Sequence, residues 1–187
     1  MLKSVTSKPF HSSTLQKLVI KALFIALHVA LCSLSVNLGN MVVSFSGLPV
    51  ILAGLFFGPL GGTEVGFLGS FINQVIKYGI TPTTILWTLP ALSLGFLVGL
   101  YTKYHHFHLN RYQLTGIILF SSLLGTVLNT FSMYVDSKLF HYYSYAYVFG
   151  ALLFRFLSAI IRSLIYVSVV YPIVKRLNHF QHYVTLE

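Results

Sequence analysis

Acidic residues are nearly absent from this chain of 187 residues. Three Asp and Glu stand against twelve Lys and Arg, and 8% of the residues are charged, whereas soluble domains have about 25%. Hydrophobic residues make up 56% of the chain. This composition excludes an ordinary soluble domain and predicts an integral membrane protein. The formal net charge of +9 then marks one face of a membrane rather than a nucleic-acid-binding surface.

Motifs for catalysis and nucleotide hydrolysis are also lacking. The only cysteine, Cys32, excludes an internal disulfide. No phosphate-binding loop and no Gly-x-Ser-x-Gly nucleophile turn occur. Three histidines, His105, His106 and His108, lie close together, but no acid or cysteine neighbours them, so no metal site is predicted. Proton-driven pumps generally carry acids within the membrane, and only Glu64 qualifies, so self-powered transport is not predicted. Because the catalytic motifs are lacking, neither an enzyme activity nor a cofactor is predicted.

Apolar runs predict a single all-α transmembrane domain over residues 1–187, a bundle of about six helices. The segments are 17–36, 41–57, 63–78, 83–101, 113–135 and 146–173, with short tails at about 1–14 and 175–187. Two breakers, Gly58-Pro59-Leu60-Gly61-Gly62 and Gly79-Ile80-Thr81-Pro82, separate neighbouring segments. Six crossings place most basic residues on the side of the two termini. Because positive loops face the cytosol, both termini are expected there.

Two arginines, Arg155 and Arg162, lie within the sixth segment. Their spacing of seven puts both on one helix face, and a charge within the membrane normally faces the bundle interior and has a partner. Glu64, at the cytosolic start of the third segment, is the expected partner of Arg162. For Arg155 two interpretations stand side by side: it binds an anionic ligand from outside, or it binds backbone carbonyls at a helix end.

A polar and aromatic segment joins the third and fourth predicted helices at their outer ends. Amides and hydroxyls beside aromatic rings are what a pocket for an amphiphilic small molecule needs. The candidate substrate-binding residues are Asn73, Gln74, Tyr78, Thr81, Thr84 and Trp87, together with Asn129 of the fifth helix and Arg155. The alternative is that the threonines cap a helix and that the aromatic rings belong to the membrane interface.

Small residues recur at every fourth position of the first helix, at Ala22, Ala26 and Ala30. Such a stripe allows another helix to approach closely. It serves either a partner protein or packing within the chain's own bundle.

The alanine stripe and the segment from Leu48 to Gly62, with its Phe57-Gly58-Pro59 turn, resemble the substrate-binding S components of energy-coupling factor (ECF) vitamin transporters. The resemblance covers essentially the whole chain. It implies a multi-pass protein of a prokaryotic cell membrane that captures a vitamin at the outer face. It also implies docking through Ala22, Ala26 and Ala30 onto a transmembrane T component, which binds two cytosolic ATPases that power transport.

The charged residues of the chain narrow the choice of vitamin. A cationic vitamin favours an acid in its pocket, and this chain has nearly none on its outer side, whereas an anion fits Arg155 and Lys77. The segment from Asn73 to Trp87 resembles that of the pantothenate-specific S component, and pantothenate is the expected ligand. Folate is the second candidate, and pyridoxine or hydroxymethylpyrimidine is the third. A stand-alone carrier or an intramembrane enzyme is the alternative outside this family.

Overall fold

The computed structural model describes residues 5–6, 13–38 and 41–184. Helices dominate these ranges. They are α1 (Thr14–Ser33), α2 (Gly47–Tyr78), α3 (Leu89–Tyr104), α4 (Arg111–Leu139), α5 (Tyr145–Phe149) and α6 (Leu152–Val184), with a 3₁₀ turn at Leu86–Thr88 before α3. Four short strands lie outside the helices: β1 (Val5–Thr6), β2 (Val36–Leu38), β3 (Met41–Val43) and β4 (His108–Leu109). Strands β1 and β4 pair antiparallel, as do β2 and β3, and Leu109 of β4 is buried in the core.

Capping residues lie where α1 and α4 begin, a few residues before the predicted starts at 17 and 113. Ser13 Oγ accepts from the backbone N–H of Gln16, whose side-chain oxygen accepts from the N–H of Ser13. Asn110 and Gln113 form the same reciprocal arrangement before α4. Each pair satisfies two backbone donors that have no partner within the helix.

Helix α2 folds back on itself at Gly58. This glycine has φ 74° and ψ −163°, a left-handed conformation that favours glycine, and Pro59 then starts the second arm. A Cβ atom added to Gly62 would lie 2.9 Å from the Cα of Gly54, although eight residues of straight helix span about 12 Å. The arms, residues 47–57 and 59–78, therefore form an antiparallel hairpin, and the predicted Gly-Pro turn is confirmed.

Within the described residues, α1, the two arms of α2, α3, α4 and α6 pack together as a helical bundle. At one end, called the terminal end, β1 pairs with β4 and the Arg111 guanidinium lies over the Tyr171 ring. At the opposite end, called the cavity end, Lys77 Nζ donates to the carbonyl oxygen of Cys32 over 3.0 Å. Among the residues that the structure describes, four helical stretches are long and apolar enough to cross a membrane: Thr14–Ser33, Gly47–Tyr78, Arg111–Leu139 and Tyr145–Arg176. Helix α3, with 16 residues, is shorter than these.

The predicted segments differ from the helices mainly at the cavity end. The predicted segment 41–57 begins in β3 and becomes helical at Gly47. The predicted segment 146–173 is divided into α5 and α6 by a turn at 150–151, and α6 continues to Val184. The tails at 1–4, 7–12 and 185–187 lie outside the described residues.

Fully buried aliphatic side chains of α2, α3, α4 and α6 form the core, including Val50, Ile51, Val98, Ile118 and Val170. Glycines allow the second arm of α2 and α3 to touch through their backbones. A Cβ on Gly95 would lie 2.1 Å from the carbonyl oxygen of Gly62. This contact joins the beginning of the second arm to the middle of α3.

Candidate functional site

A cavity of about 520 Å³ lies among the helices at the cavity end. This volume is within the range of small-molecule sites, about 300–1,000 Å³. Its lining combines hydroxyls, aromatic rings, one amide, one imidazole and two guanidinium groups. The lining residues are His28, Ser44, Ser46, Gly47, Tyr78, Trp87, Pro90, Ala91, Leu94, Ser121, Ser122, Gly125, Thr126, Asn129, Met133, Tyr147, Arg155, Ser158, Arg162 and Tyr166. Neither Asp nor Glu is among these residues, so the charge of the lining is positive.

Four of the eight predicted binding residues line the cavity: Tyr78, Trp87, Asn129 and Arg155. Asn73 and Gln74 are half-buried on the second arm of α2 and are not among the lining residues. The structure therefore brings together residues from α2, the 3₁₀ turn, α4 and α6 that lie far apart in sequence.

Thr81 and Thr84 lie outside the lining and stabilise the turn before α3. The backbone N–H of Thr81 donates to Thr84 Oγ1 over 2.8 Å, and the two hydroxyls are 3.0 Å apart. The N–H of Thr84 in turn donates to the carbonyl of Thr81. The N-cap of α3 is Thr88, without a side-chain capping bond, so Thr81 and Thr84 do not cap this helix and instead hold the segment that precedes Trp87.

Arg155 is 8% exposed and binds the end of α5. Its Nη1 donates to the carbonyl of Val148 over 3.1 Å, and its Nη2 donates to the carbonyl of Tyr147 over 3.3 Å. A cation is favourable at the C-terminal end of a helix, where carbonyls lack partners. Arg155 therefore binds backbone carbonyls at a helix end, as one interpretation of the sequence expected. It also lines the cavity, as the other interpretation, binding of an anionic ligand, requires.

The expected pair of Glu64 with Arg162 is wrong. Glu64 Oε2 lies 2.5 Å from Nζ of Lys21, so Glu64 forms an ion pair with a residue of α1. Sequence predicts the depth of a charge along a helix but not which neighbouring helix it faces, and here Glu64 faces α1. Arg162 instead lines the cavity.

His28 is a site residue that the candidate set omitted. It is 2% exposed and lines the cavity. A carbonyl oxygen only accepts, so Nδ1–H donates to the carbonyl of Ser46 over 2.8 Å, and Nε2 accepts from Ser70 Oγ over 3.2 Å. Its position as the one histidine well inside an apolar run was the available signal, since ionisable groups there are often functional.

The segment before α2 contributes backbone and side-chain groups to the cavity. Ser44 and Ser46 line it, and the Tyr166 hydroxyl donates to the carbonyl of Ser44 over 3.0 Å. Periodicity gives no signal for such residues because they lie between a strand and a helix.

Asp136 orients the aromatic wall of the cavity. Its Oδ1 accepts from Thr83 Oγ1 over 2.5 Å and from Trp87 Nε1 over 3.5 Å, and its Oδ2 accepts from the Tyr142 hydroxyl. The Tyr142 ring packs edge-to-face on Tyr147 with 5.6 Å between centroids. Burial, and then the Asp136 carboxylate, raise the pKa of the Tyr142 hydroxyl, so it remains a donor at neutral pH.

The alanine stripe lies on the surface. Ala22, Ala26 and Ala30 are all exposed on α1, on the face opposite the buried His28. Lys77 is bound to the Cys32 carbonyl and is not a lining residue. Of the three clustered histidines, the side chain of His108 lies outside those described, and no group of metal-binding side chains occurs in the described part of the chain.

Comparison with known proteins agrees with this geometry. The model of the ECF transporter substrate-specific component family matches residues 16–174. A solved structure, the S component of a bacterial ECF transporter, has the same fold with a TM-score of 0.66 at 16% identity, over 88% of this chain and 99% of that one. No curated protein sequence matches the chain significantly.

The chain belongs to the ECF transporter substrate-specific component family. Members of this family bind a transport substrate rather than catalyse a reaction. In their complexes they act with a membrane T component and ATPase subunits.

Proposed function

We propose that this chain captures pantothenate at the outer face of a prokaryotic cell membrane and delivers it inward when docked on an ATP-driven ECF module. The observation that carries the choice of ligand is the cavity lining, with two guanidinium groups and no carboxylate. A cationic vitamin lacks a counter-charge there, whereas a carboxylate has two candidate partners.

The remaining groups of pantothenate match the other lining residues. Pantothenate has one amide, two hydroxyls, one carboxylate and a gem-dimethyl group. Asn129, Ser122 and Thr126 offer polar partners, and Trp87 and Tyr78 offer apolar faces. Asn73, Gln74, Thr81 and Thr84 act in this proposal by shaping the segment around the cavity rather than by lining it.

The proposed orientation places the cavity end outside and the terminal end in the cytosol. Lys21, Lys103 and Arg111 lie toward the terminal end, as the positive-inside rule requires for a cytosolic face. The whole chain then forms one transmembrane domain with six crossings and short cytosolic tails.

Mass spectrometry of ligand that co-purifies with the protein is the direct test, followed by titration calorimetry with pantothenate and folate. We expect tight pantothenate binding without ATP. Heat of binding with folate and none with pantothenate would show that folate, not pantothenate, is the ligand. Folate is the matched comparison because Trp87, Tyr78 and Tyr147 also offer faces on which a pterin ring stacks.

A further inference from the structure

Arg162 lines the cavity without a hydrogen bond or ion pair to any described residue. It lies half-buried in the middle of the stretch Tyr145–Arg176, which is apolar enough to cross a membrane. A charge at such a depth costs at least a few kcal/mol unless it is solvated or paired. No described residue supplies such a partner, so a molecule bound in the cavity is suited to pair with Arg162.

Both acids of the described part of the chain already have other partners. Glu64 binds Lys21, and Asp136 accepts from Thr83, Trp87 and Tyr142. Neither is a lining residue of the cavity.

The polar side chains that line the cavity near α1 and α6 are also engaged. His28 donates to a carbonyl through Nδ1 and accepts through Nε2, which is the arrangement of a neutral imidazole. The Tyr166 hydroxyl, one helical turn from Arg162, donates to the Ser44 carbonyl. Neither residue supplies a negative charge.

Arg155 differs from Arg162 in this respect. Its guanidinium already donates to two carbonyls of α5, whereas the Arg162 guanidinium donates to none of the residues that the structure describes. The two residues are seven apart, about 10.5 Å along one face of α6. The two arginines of the cavity thus lie at different depths, and only Arg155 is bound to the end of α5.

A second polar group of the lining lacks a partner. The Ser121 hydroxyl is buried and forms no hydrogen bond within the described residues. Buried polar atoms in folded proteins nearly always have partners, so an orphaned hydroxyl beside a cavity indicates a ligand or a water there.

We propose that Arg162 binds the carboxylate of the ligand, that Ser121 adds a polar contact to the ligand, and that Arg155 chiefly fixes α5 at the wall of the cavity. This inference rests on the proposed function and assigns the anionic subsite within it. A guanidinium forms two parallel N–H···O bonds with a carboxylate, which gives both affinity and selection against neutral analogues.

The test compares pantothenate with pantothenol, its neutral alcohol analogue, by titration calorimetry on the full-length protein. We expect the wild type to bind pantothenate at least thirtyfold more tightly than pantothenol. In Arg162→Met this preference should fall to threefold or less while pantothenol affinity stays within threefold. Arg162→Lys should retain an intermediate preference, because the charge remains and the paired geometry is lost.

Arg155→Met is the matched control. It should weaken both ligands by similar factors and leave the preference within threefold of wild type. A preference that persists in Arg162→Met, or one that disappears only in Arg155→Met, overturns the assignment. Unchanged pantothenol binding shows that a variant is folded.

Failure of the proposed ligand gives a different result. If pantothenate does not bind, the same variants are titrated with folate, biotin, thiamin and pyridoxine. A carboxylate vitamin that binds wild type and loses at least tenfold in Arg162→Met replaces pantothenate but supports Arg162. Binding of a neutral or cationic vitamin alone, or of a carboxylate vitamin with unchanged affinity in Arg162→Met, overturns the assignment.

Discussion

At the scale of single residues, the Asp136 carboxylate controls the aromatic side of the cavity. It accepts from Trp87 directly and reaches Tyr147 through Tyr142. Because its oxygens bind donors from three parts of the chain, it fixes their relative positions more firmly than a contact between two neighbours would. It positions the rings of Trp87 and Tyr147, which line the cavity.

Asp136→Ala should weaken pantothenate binding about tenfold, since hydrogen bonds to a charged group contribute roughly 1.5–3 kcal/mol. Trp87 is the only tryptophan, so its fluorescence reports this site alone. We expect the emission of the ligand-free variant to shift as the indole N–H loses its acceptor.

Two further variants sharpen this experiment. Tyr142→Phe keeps the ring and removes one donor, so it should give a smaller loss. The exposed Lys138→Met, close to Asp136 in sequence, should bind like wild type. Equal affinity of Asp136→Ala and wild type would contradict the positioning role.

The candidate site was predictable from sequence where a polar residue stood out against an apolar segment. Trp87, Asn129 and Arg155 were found in this way. Arg162 was assigned to the wrong partner because the order of helices around the bundle is a property of packing, which periodicity does not encode. Ser44 and Ser46 were missed because they lie in a connection.

At the scale of elements, close backbone contact between the second arm of α2 and α3 shapes the bundle. Gly62 and Gly95 face each other with no room for a Cβ on either. Such contacts replace side-chain interdigitation where small residues line a membrane helix interface. They hold together the second arm, which ends at Tyr78, and α3, which follows the turn that carries Trp87.

Gly95→Ala should destabilise the protein by about 3 kcal/mol, because the new Cβ would overlap a carbonyl and force the helices apart. This corresponds to a Tm lower by about 10 °C in a thermal scan in detergent. Gly116→Ala is the matched control, since a Cβ there meets nothing within 4 Å. Equal Tm values for the two variants would contradict the packing argument.

Elements were predicted best where glycine and proline interrupt an apolar run. The turn at Gly58-Pro59 was placed correctly because only glycine suits its left-handed backbone. The break at 150–151 between α5 and α6 was missed. Its single glycine, Gly150, has an ordinary helical conformation, so the sequence carries little local signal for the turn.

At the scale of the whole molecule, α1 has two faces with different tasks. His28 and Lys21 tie one face to α2 through Ser70 and Glu64. The opposite face exposes Ala22, Ala26 and Ala30 among exposed leucines. A flat apolar face on a well-anchored helix suits the docking onto a T component that the family implies.

Ala26→Trp should abolish co-purification with the T component and leave pantothenate affinity within twofold, because the bulky ring blocks helix approach but lies away from the cavity. Val169→Trp, on an exposed apolar position of α6, is the control and should assemble normally. Retained assembly of the Ala26 variant would remove the stripe from the docking surface.

The fold-back of α2 has a consequence for how the protein enters the membrane. The helical part of its first arm spans 11 residues, 47–57, about 16 Å, which is about half of a hydrocarbon core of about 30 Å, so the preceding segment 41–46 completes this crossing. During synthesis this arm is therefore unsuited to act as a stop for translocation by itself. It should partition into lipid together with the second arm, as one hairpin. The turn at Gly58 is then needed for membrane insertion as well as for packing.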